Sequence, residues 1–181
     1  MESPPTIETK SLVVRAPNDT DVDSLFAIEG NREAMRYTHC SPNREATRQR
    51  LLAYAAQYPR DGFAPWTITA RADGKIVGWG GLCTDPFAPG WGVEVVYYFD
   101  PKCWGRGFAT ELVVASLEHA FRDLRLREVG AFTTSENHAS TRVLEKAGFQ
   151  FSEFVPKLAR NRYRALPGLP PAVSQFRRTR P

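Results

Sequence analysis

The chain has 181 residues, of which 42% are hydrophobic, 12% aromatic and 24% charged. This composition is typical of one globular domain, and the sequence shows neither a G-x-y period nor a sustained heptad. Collagen-like, coiled-coil and disordered chains are therefore excluded. A chain of this length buries roughly 70% of its unfolded surface, so its core needs neither disulfides nor a metal.

The net charge of +4 is concentrated at the C-terminal end. Residues Lys157 to Pro181 include seven basic side chains and no acidic one, so residues 1–156 together carry a net charge of −3. We predict a domain over residues 1–166 and a tail over residues 167–181. A basic tail could contact RNA or an acidic partner, but short tails of this kind are often only solvated. We therefore do not expect nucleic acid as a partner.

The cysteines and histidines show no metal-binding or disulfide pattern. Cys40, Cys83 and Cys103 are odd in number and far apart, and the three histidines lack paired-ligand spacing. No stretch approaches the roughly 18 to 20 apolar residues of a membrane span. We expect a cytoplasmic protein with reduced thiols and no metal, as a monomer or homodimer.

The N-terminal part is predicted to begin with a strand from Ser11 to Ala16, which a Pro-Asn-Asp turn ends. A helix follows and ends at Gly30. A second helix is expected to start at Ser41-Pro42, with the serine as its cap, and to run to Tyr58.

The middle of the chain alternates strand and helix patterns. Asp73-Gly74 joins two strand-like runs, Trp66 to Ala70 and Lys75 to Cys83, which predicts an antiparallel hairpin. The β-branched and aromatic run from Val93 to Phe99 is the predicted central strand. Apolar residues at helical spacing from Phe108 to Leu124 predict a long helix directly after it.

The remaining elements complete a β-α-β-α-β order. They are a strand from Val129 to Thr134, a helix from Asn137 to Ala147, a strand from Phe149 to Val155 and an edge strand from Arg162 to Leu166. This order places a parallel strand pair beside antiparallel neighbours. The predicted fold class is α/β (α+β), with one mixed, mostly antiparallel sheet and about four helices.

The segment from Asp100 to Glu111 joins the central strand to the long helix and contains Gly105 and Gly107. Glycines there let several backbone N–H groups converge at the positive end of the helix, which favours phosphate. A tight strand-to-helix turn explains the two glycines equally well. A Walker loop is excluded because Phe108 and Ala109 follow Gly107, and a dinucleotide loop is excluded because Thr110 stands where a third Gly or Ala belongs.

Three linked motifs are more specific than these glycines. They are Glu94 to Pro101, Trp104 to Glu111, and Asn137 to Ser140 followed by Leu144 to Phe149. From about residue 11 to residue 155 the chain resembles the GNAT superfamily of acyl-CoA N-acyltransferases, and most of all its Rim branch, which acetylates the N-termini of ribosomal proteins. The resemblance implies a single GNAT-like domain with a splayed central pair of parallel strands.

The resemblance also implies a set of acetyl-CoA-binding residues. The pyrophosphate loop falls on Lys102, Cys103, Trp104, Gly105, Arg106 and Gly107. Lys102 departs from the usual Arg or Gln but keeps a positive charge. The resemblance implies that the backbone of Tyr97, Tyr98 and Phe99 pairs with the pantetheine arm, and that Thr110 could add a hydroxyl contact. Asn137 would contact pantetheine or a bound water, or cap its helix, and these roles can coexist.

Two side chains are candidate catalytic residues by the same resemblance. Glu94 would take the proton of the amine, although an exposed strand carboxylate is the alternative. Ser140 would protonate or hydrogen-bond the departing CoA sulfur, although an ordinary first-turn serine is the alternative. A base has less to do for an α-amine, with a pKa near 8, than for a lysine near 10.4.

The function implied by the resemblance is transfer of acetyl from acetyl-CoA to a primary amine by direct attack in a ternary complex. The expected acceptor is a protein or peptide N-terminus. An antibiotic, polyamine or amino acid is the first alternative, which a pocket ringed by acidic residues would favour. The second alternative is a CoA-binding sensor without turnover.

Overall fold

A computed structural model describes residues 4–168, which form one eight-stranded sheet of order β1-β2-β3-β4-β5-β6-β8-β7. The strands are β1 (Ile7–Glu8), β2 (Leu12–Arg15), β3 (Trp66–Ala70), β4 (Ile76–Cys83), β5 (Glu94–Phe99), β6 (Val129–Thr133), β7 (Gln150–Val155) and β8 (Arg160–Ala165). Only β5 and β6 are parallel, and every other neighbouring pair is antiparallel. The predicted mixed sheet is confirmed.

Four helices of eight residues or more accompany the sheet, as predicted, together with a single helical turn, α3. They are α1 (Val22–Glu29), α2 (Arg44–Ala55), α3 (Tyr58–Asp61), α4 (Phe108–Glu118) and α5 (His138–Lys146). The helix predicted to run to Leu124 ends as α4 and continues as a π-helical turn, His119–Asp123.

The two faces of β5 pack against different helices. Tyr98 and Val96 pack with residues of α1 and α2. Val95, Tyr97 and Phe99 pack on the opposite face, where α4 contributes to two core clusters through Leu112 and Val113. Helix α4 therefore packs against both halves of the sheet, on the face opposite to α1 and α2.

The parallel pair is joined at one point and then separates. Glu94 is in register with Gly130, whose N–H donates to the Val93 carbonyl at 2.8 Å. No further register between β5 and β6 is formed in the described chain. Beyond Glu94 the two strands diverge and leave a gap in the middle of the sheet, so the predicted splay is present.

The prediction that residues 162–166 form an edge strand is wrong. Strand β8 lies between β6 and β7, and β7 is the edge. The reason is that β8 pairs with both neighbours, Ala131 with Tyr163 on one side and Phe151 with Tyr163 on the other. Chain order alone does not reveal that the later strand inserts inside the earlier one.

Two local predictions about α2 also differ from the structure. Helix α2 is capped by Asn43, whose side chain accepts from the Ala46 N–H at 2.9 Å, while the Ser41 hydroxyl instead accepts from Thr47. That helix ends at Ala55, before Tyr58. The predicted antiparallel hairpin of β3 and β4 is confirmed, and the Ala70 N–H donates to the Lys75 carbonyl across its turn. The short strand β1 was not predicted.

None of the helices formed by residues 4–168 has the length and apolar character of a membrane span. Most of the predicted tail, residues 169–181, lies outside the described residues.

Candidate active site

The gap between β5 and β6 opens into a cleft of about 610 Å³. Its walls are both splayed strands, the loop before α4, the first turn of α5 and the segment between α1 and α2. Eleven of the thirteen predicted site residues line it: Glu94, Tyr97, Tyr98, Phe99, Cys103, Trp104, Gly105, Gly107, Thr110, Asn137 and Ser140. Residues that are far apart in sequence therefore meet in one cavity.

Glu94 is a buried carboxyl group rather than an exposed strand residue. It is 7% exposed and begins β5, on the face that packs toward α1 and α2. Burial, together with the charge of Asp85, raises the pKa of Glu94 to about 7, against the opposing effect of Arg162 and Arg160. A carboxyl group that titrates near neutral pH inside a cleft is able to accept a proton from an amine and release it again.

Ser140 reaches the cleft from the other side of the gap. Its hydroxyl lies 2.8 Å from the hydroxyl of Tyr97, a residue on the face of β5 opposite to Glu94. Burial raises the pKa of Tyr97 to about 12, so its phenol keeps its proton at neutral pH and is able to donate. Ser140 is thereby held by a side chain of the central strand.

Asn137 caps α5. Its side-chain oxygen accepts from the Ser140 N–H at 3.1 Å, which orients the first turn that carries Ser140. The capping role that the sequence left open is therefore filled, and the amide –NH₂ of Asn137 still borders the cleft.

The loop before α4 has an arrangement suited to phosphate. Gly105 and Gly107 have φ of +74° and +82°, a region that favours glycine, and a Cβ added at either would meet nothing within 4 Å. Gly107 caps α4 without a side-chain hydrogen bond, so the first N–H groups of this eleven-residue helix stay available. The acidic Glu111 turns away and accepts from the Ser11 N–H and the Thr9 hydroxyl.

Two predicted loop residues do not line the cleft. Lys102 and Arg106 are exposed, and the guanidinium of Arg106 lies over the Phe108 ring, 4.6 Å from its centroid. Arg106 instead borders a second, shallower depression with Lys10 and Arg71. Neither of these two side chains is therefore placed to contact a ligand in the cleft.

The backbone of β5 presents alternate residues to the gap. Since the Val93 carbonyl accepts from Gly130, the odd-numbered residues of β5 direct their backbone groups toward β6. Tyr97 and Phe99 therefore face the gap, while Tyr98 is paired with Trp79 of β4. The Phe99 carbonyl accepts from the Trp104 indole at 3.1 Å, which ties the end of the strand to the loop.

Sequence reasoning missed three features of the cleft: the Tyr97 hydroxyl as the partner of Ser140, the Trp104 indole as a tie to β5, and Arg160 in the cleft wall. The first joins positions 43 residues apart, and Arg160 lies beyond every motif. Nothing local in the sequence signals either contact. Within residues 4–168 no group of three or more His, Cys, Asp or Glu side chains could hold a metal.

Comparison with known proteins gives a family match over most of the chain. The model of the acetyltransferase (GNAT) domain matches residues 11–150. An uncharacterized N-acetyltransferase of Bacillus subtilis, YoaA, is 31% identical over 149 residues, which are 81% of this chain and 83% of YoaA.

Solved structures share the fold at lower identity. RimJ of Mycobacterium smegmatis in complex with CoA-disulfide has a TM-score of 0.76 at 16% identity, covering 92% of this chain and 90% of RimJ. Spermidine N-acetyltransferase of Vibrio cholerae, in complex with CoA and spermine, has a TM-score of 0.71 at 17% identity, covering 87% and 96% of the two chains.

Proposed function

We propose that this chain, which belongs to the GNAT family of acetyltransferases, moves the acetyl group of acetyl-CoA onto the α-amine of a protein or peptide N-terminus. The observation that carries the proposal is the placement of Glu94 and Ser140 in one cleft, in the gap between β5 and β6. The transfer is a direct attack in a ternary complex, with no covalent enzyme intermediate.

The donor half of the cleft would hold acetyl-CoA by backbone groups. The loop from Lys102 to Gly107 and the N-terminus of α4 suit the pyrophosphate. The backbone of Tyr97 and the N–H of Phe99 suit the amide groups of pantetheine. These contacts would hold the thioester in the gap, beside Ser140.

The base in this proposal is Glu94. An ammonium group cannot attack, and the Glu94 carboxylate removes a proton from the bound amine directly or through one water. A carboxyl group whose pKa is about 7 is matched to an α-amine with a pKa near 8 far better than to a lysine near 10.4.

Ser140 assists the leaving group in this proposal. The amine nitrogen bonds to the thioester carbon, the C–S bond breaks, and the sulfur leaves as a thiolate that accepts a hydrogen bond or the proton from the Ser140 hydroxyl. The second proton of the attacking nitrogen leaves as the amide forms and either protonates the thiolate or, by way of water, replaces the proton that Ser140 has given up. The Tyr97 hydroxyl keeps Ser140 aimed at that sulfur. A peptide-bond N–H of β5 that faces the gap is suited to the developing oxyanion.

The charge of the cleft favours an N-terminus over a polyamine. The described lining contains two carboxyl groups, Asp85 and Glu94, beside several basic side chains. A polycation would meet net repulsion there. RimL, whose solved structure has a TM-score of 0.75 at 18% identity, is described as a ribosomal L7/L12 alpha-N-protein acetyltransferase.

The test is release of free CoA thiol from acetyl-CoA in the presence of peptides with Ala or Ser N-termini, polyamines and aminoglycosides. We expect release with the peptides alone, and an N-terminally blocked peptide serves as the control. Release with small amines alone would replace the peptide acceptor with a small molecule. If no amine tested gives thiol release while acetyl-CoA still raises the Tm, the sensor alternative would be supported.

A further inference from the structure

The cleft contains more basic charge than the donor requires. Its described lining includes five basic side chains: Arg36, Arg50, Arg142, Lys146 and Arg160. The five side chains have different surroundings, and four of them are accounted for by the fold or by the donor side of the cleft.

Four of the five have an evident place. The Arg50 Nε lies 3.2 Å from a carboxylate oxygen of the fully buried Glu29, so its charge is balanced. Arg142 and Lys146 are on α5 with Ser140, and Arg36 stacks over the Trp104 ring of the phosphate loop. None of these four is among the charges that shift the pKa of Glu94.

Arg160 is different because, of the five, it is the one whose charge acts on Glu94 in the same cleft, and within residues 4–168 it has no carboxylate in an ion pair with it. It begins β8 and donates to the Tyr37 carbonyl at 3.2 Å. Its positive charge lowers the pKa of Glu94, so the electrostatic effect of Arg160 reaches the proposed base. By contrast Arg162 pairs with Glu128 and Glu153.

The other carboxylate of this region is already engaged. Asp85 accepts from the N–H groups of Phe87 at 2.8 Å and Ala88 at 3.3 Å, within its own loop. The guanidinium of Arg160 therefore remains an unmatched cation in the cleft wall, and Arg is the side chain best suited to bind a carboxylate in a fixed geometry.

We propose that Arg160 binds a carboxylate that the acceptor carries close to its reacting amine. This rests on acetyl transfer to a primary amine in this cleft, the part of the proposed function that peptide and small-molecule acceptors share, and it narrows the acceptor class to amines with a neighbouring anionic group. Such a carboxylate comes from an acidic side chain at the first or second residue of a peptide, or from the α-carboxylate of a free amino acid. The chemistry recognised is the same in both.

The test compares acceptors that differ in that carboxylate; in the free amino acid pair the amide also has the lower amine pKa, so the change of the ratio between protein variants is the quantity compared. C-terminally amidated Ser-Asp and Ser-Asn peptides form one pair, and serine with serinamide forms the other. Thiol release gives kcat/KM for each acceptor with the wild type, Arg160→Gln and Arg160→Lys, and Arg127→Gln serves as an exposed control. The ratio within a pair cancels any change that Arg160→Gln makes to the pKa of Glu94.

We expect the wild type to prefer the carboxylate member of one pair by about tenfold or more, as a charge-assisted contact does. Arg160→Gln should bring the ratio close to one for the peptide pair and lower it about tenfold or more for the serine pair, Arg160→Lys should keep part of the preference, and Arg127→Gln should keep all of it. The responding pair identifies the source of the carboxylate.

Two results would overturn the inference. Equal rates for both members of each pair, or a preference that survives in Arg160→Gln, would remove Arg160 as the carboxylate contact and leave the proposed function standing. Absence of thiol release with every amine would contradict both the inference about Arg160 and the proposed acetyl transfer.

Discussion

Glu94 begins β5 as a buried carboxyl group with a pKa of about 7, and with Glu94 as the proposed base this value would set how activity depends on pH. A base must be deprotonated to act, so we expect kcat/KM to rise as the pH increases through about 7. Asp85→Asn removes a charge that raises this pKa, and the midpoint should therefore move to lower pH.

Glu94→Gln should lose about 10²-fold or more in turnover at pH 7, because no group remains to take the amine proton. Part of the loss should recover at higher pH, where more of the amine is already neutral. Initial rates of thiol release from pH 6 to 9.5 provide the measurement. A wild-type profile in Glu94→Gln would remove Glu94 as the base.

The same carboxyl group should reduce stability at alkaline pH. Its pKa in the folded state, about 7, lies above the ordinary value of 4.5, so its stabilising contribution is complete below pH 4.5 and is lost as the pH rises through 7. Glu94→Gln should therefore be the more stable protein at pH 8, by roughly 2 kcal/mol, and the difference should shrink toward pH 5. Urea unfolding at the two pH values measures it, and a constant difference would contradict the pKa assigned to Glu94.

The hydroxyl pair of Tyr97 and Ser140 predicts a non-additive pair of variants. Tyr97→Phe removes the 2.8 Å contact that positions Ser140, so kcat should fall about tenfold with little change in KM for acetyl-CoA. Ser140→Ala should have a similar or larger effect, and the double variant should be no worse than Ser140→Ala alone. Additive losses in the double-mutant cycle would show that the two hydroxyls act independently.

At the scale of elements, α4 and the loop before it form the expected anion site. Gly107→Glu places a side chain and a negative charge at the start of this helix, and acetyl-CoA affinity should fall by more than tenfold. Gly62→Glu is the matched control, because Gly62 has φ of +75° and is exposed at the end of α3. Calorimetric titration measures both, and unchanged acetyl-CoA binding in Gly107→Glu would contradict the loop assignment.

Most elements could be predicted because their signals are local. The glycine after α1, the aromatic and β-branched run of β5 and the asparagine before α5 each act within a few residues. The cap of α2 was misassigned because Ser41 and Asn43 are both good caps, and the Thr47 hydroxyl, one turn into the helix, engages Ser41. The position of β8 depends on pairing with two distant strands, which no local pattern contains.

The site divides in the same way. Residues in motifs, such as Glu94 and Gly107, could be assigned from sequence, and they line the cleft. Arg160 could not, because its importance comes from the long-range packing that brings β8 beside the central gap. Lys102 and Arg106 belong to a motif, yet both are exposed and neither lines the cleft.

At the scale of the whole molecule, bound acetyl-CoA is expected to pair with the free edge of β5 inside the split sheet. Acetyl-CoA in the gap would complete the missing edge of β5, so hydrogen exchange of the Tyr97 and Phe99 amides should slow when it binds. The Val96 and Tyr98 amides, already paired with β4, should change little. Amide-resolved exchange with and without acetyl-CoA tests this, and uniform slowing along β5 would contradict the assigned edge.

Strand β7 is made by the ribosome before β8, yet only β8 connects it to the rest of the sheet. During synthesis β7 is therefore complete before its pairing partner exists. Most of its side chains, including Phe151 and Phe154, are exposed even in the folded protein. The half of the molecule that carries Arg160 is thus expected to assemble last, and a nascent chain stalled before β8 would present an unpaired strand to neighbouring chains or chaperones.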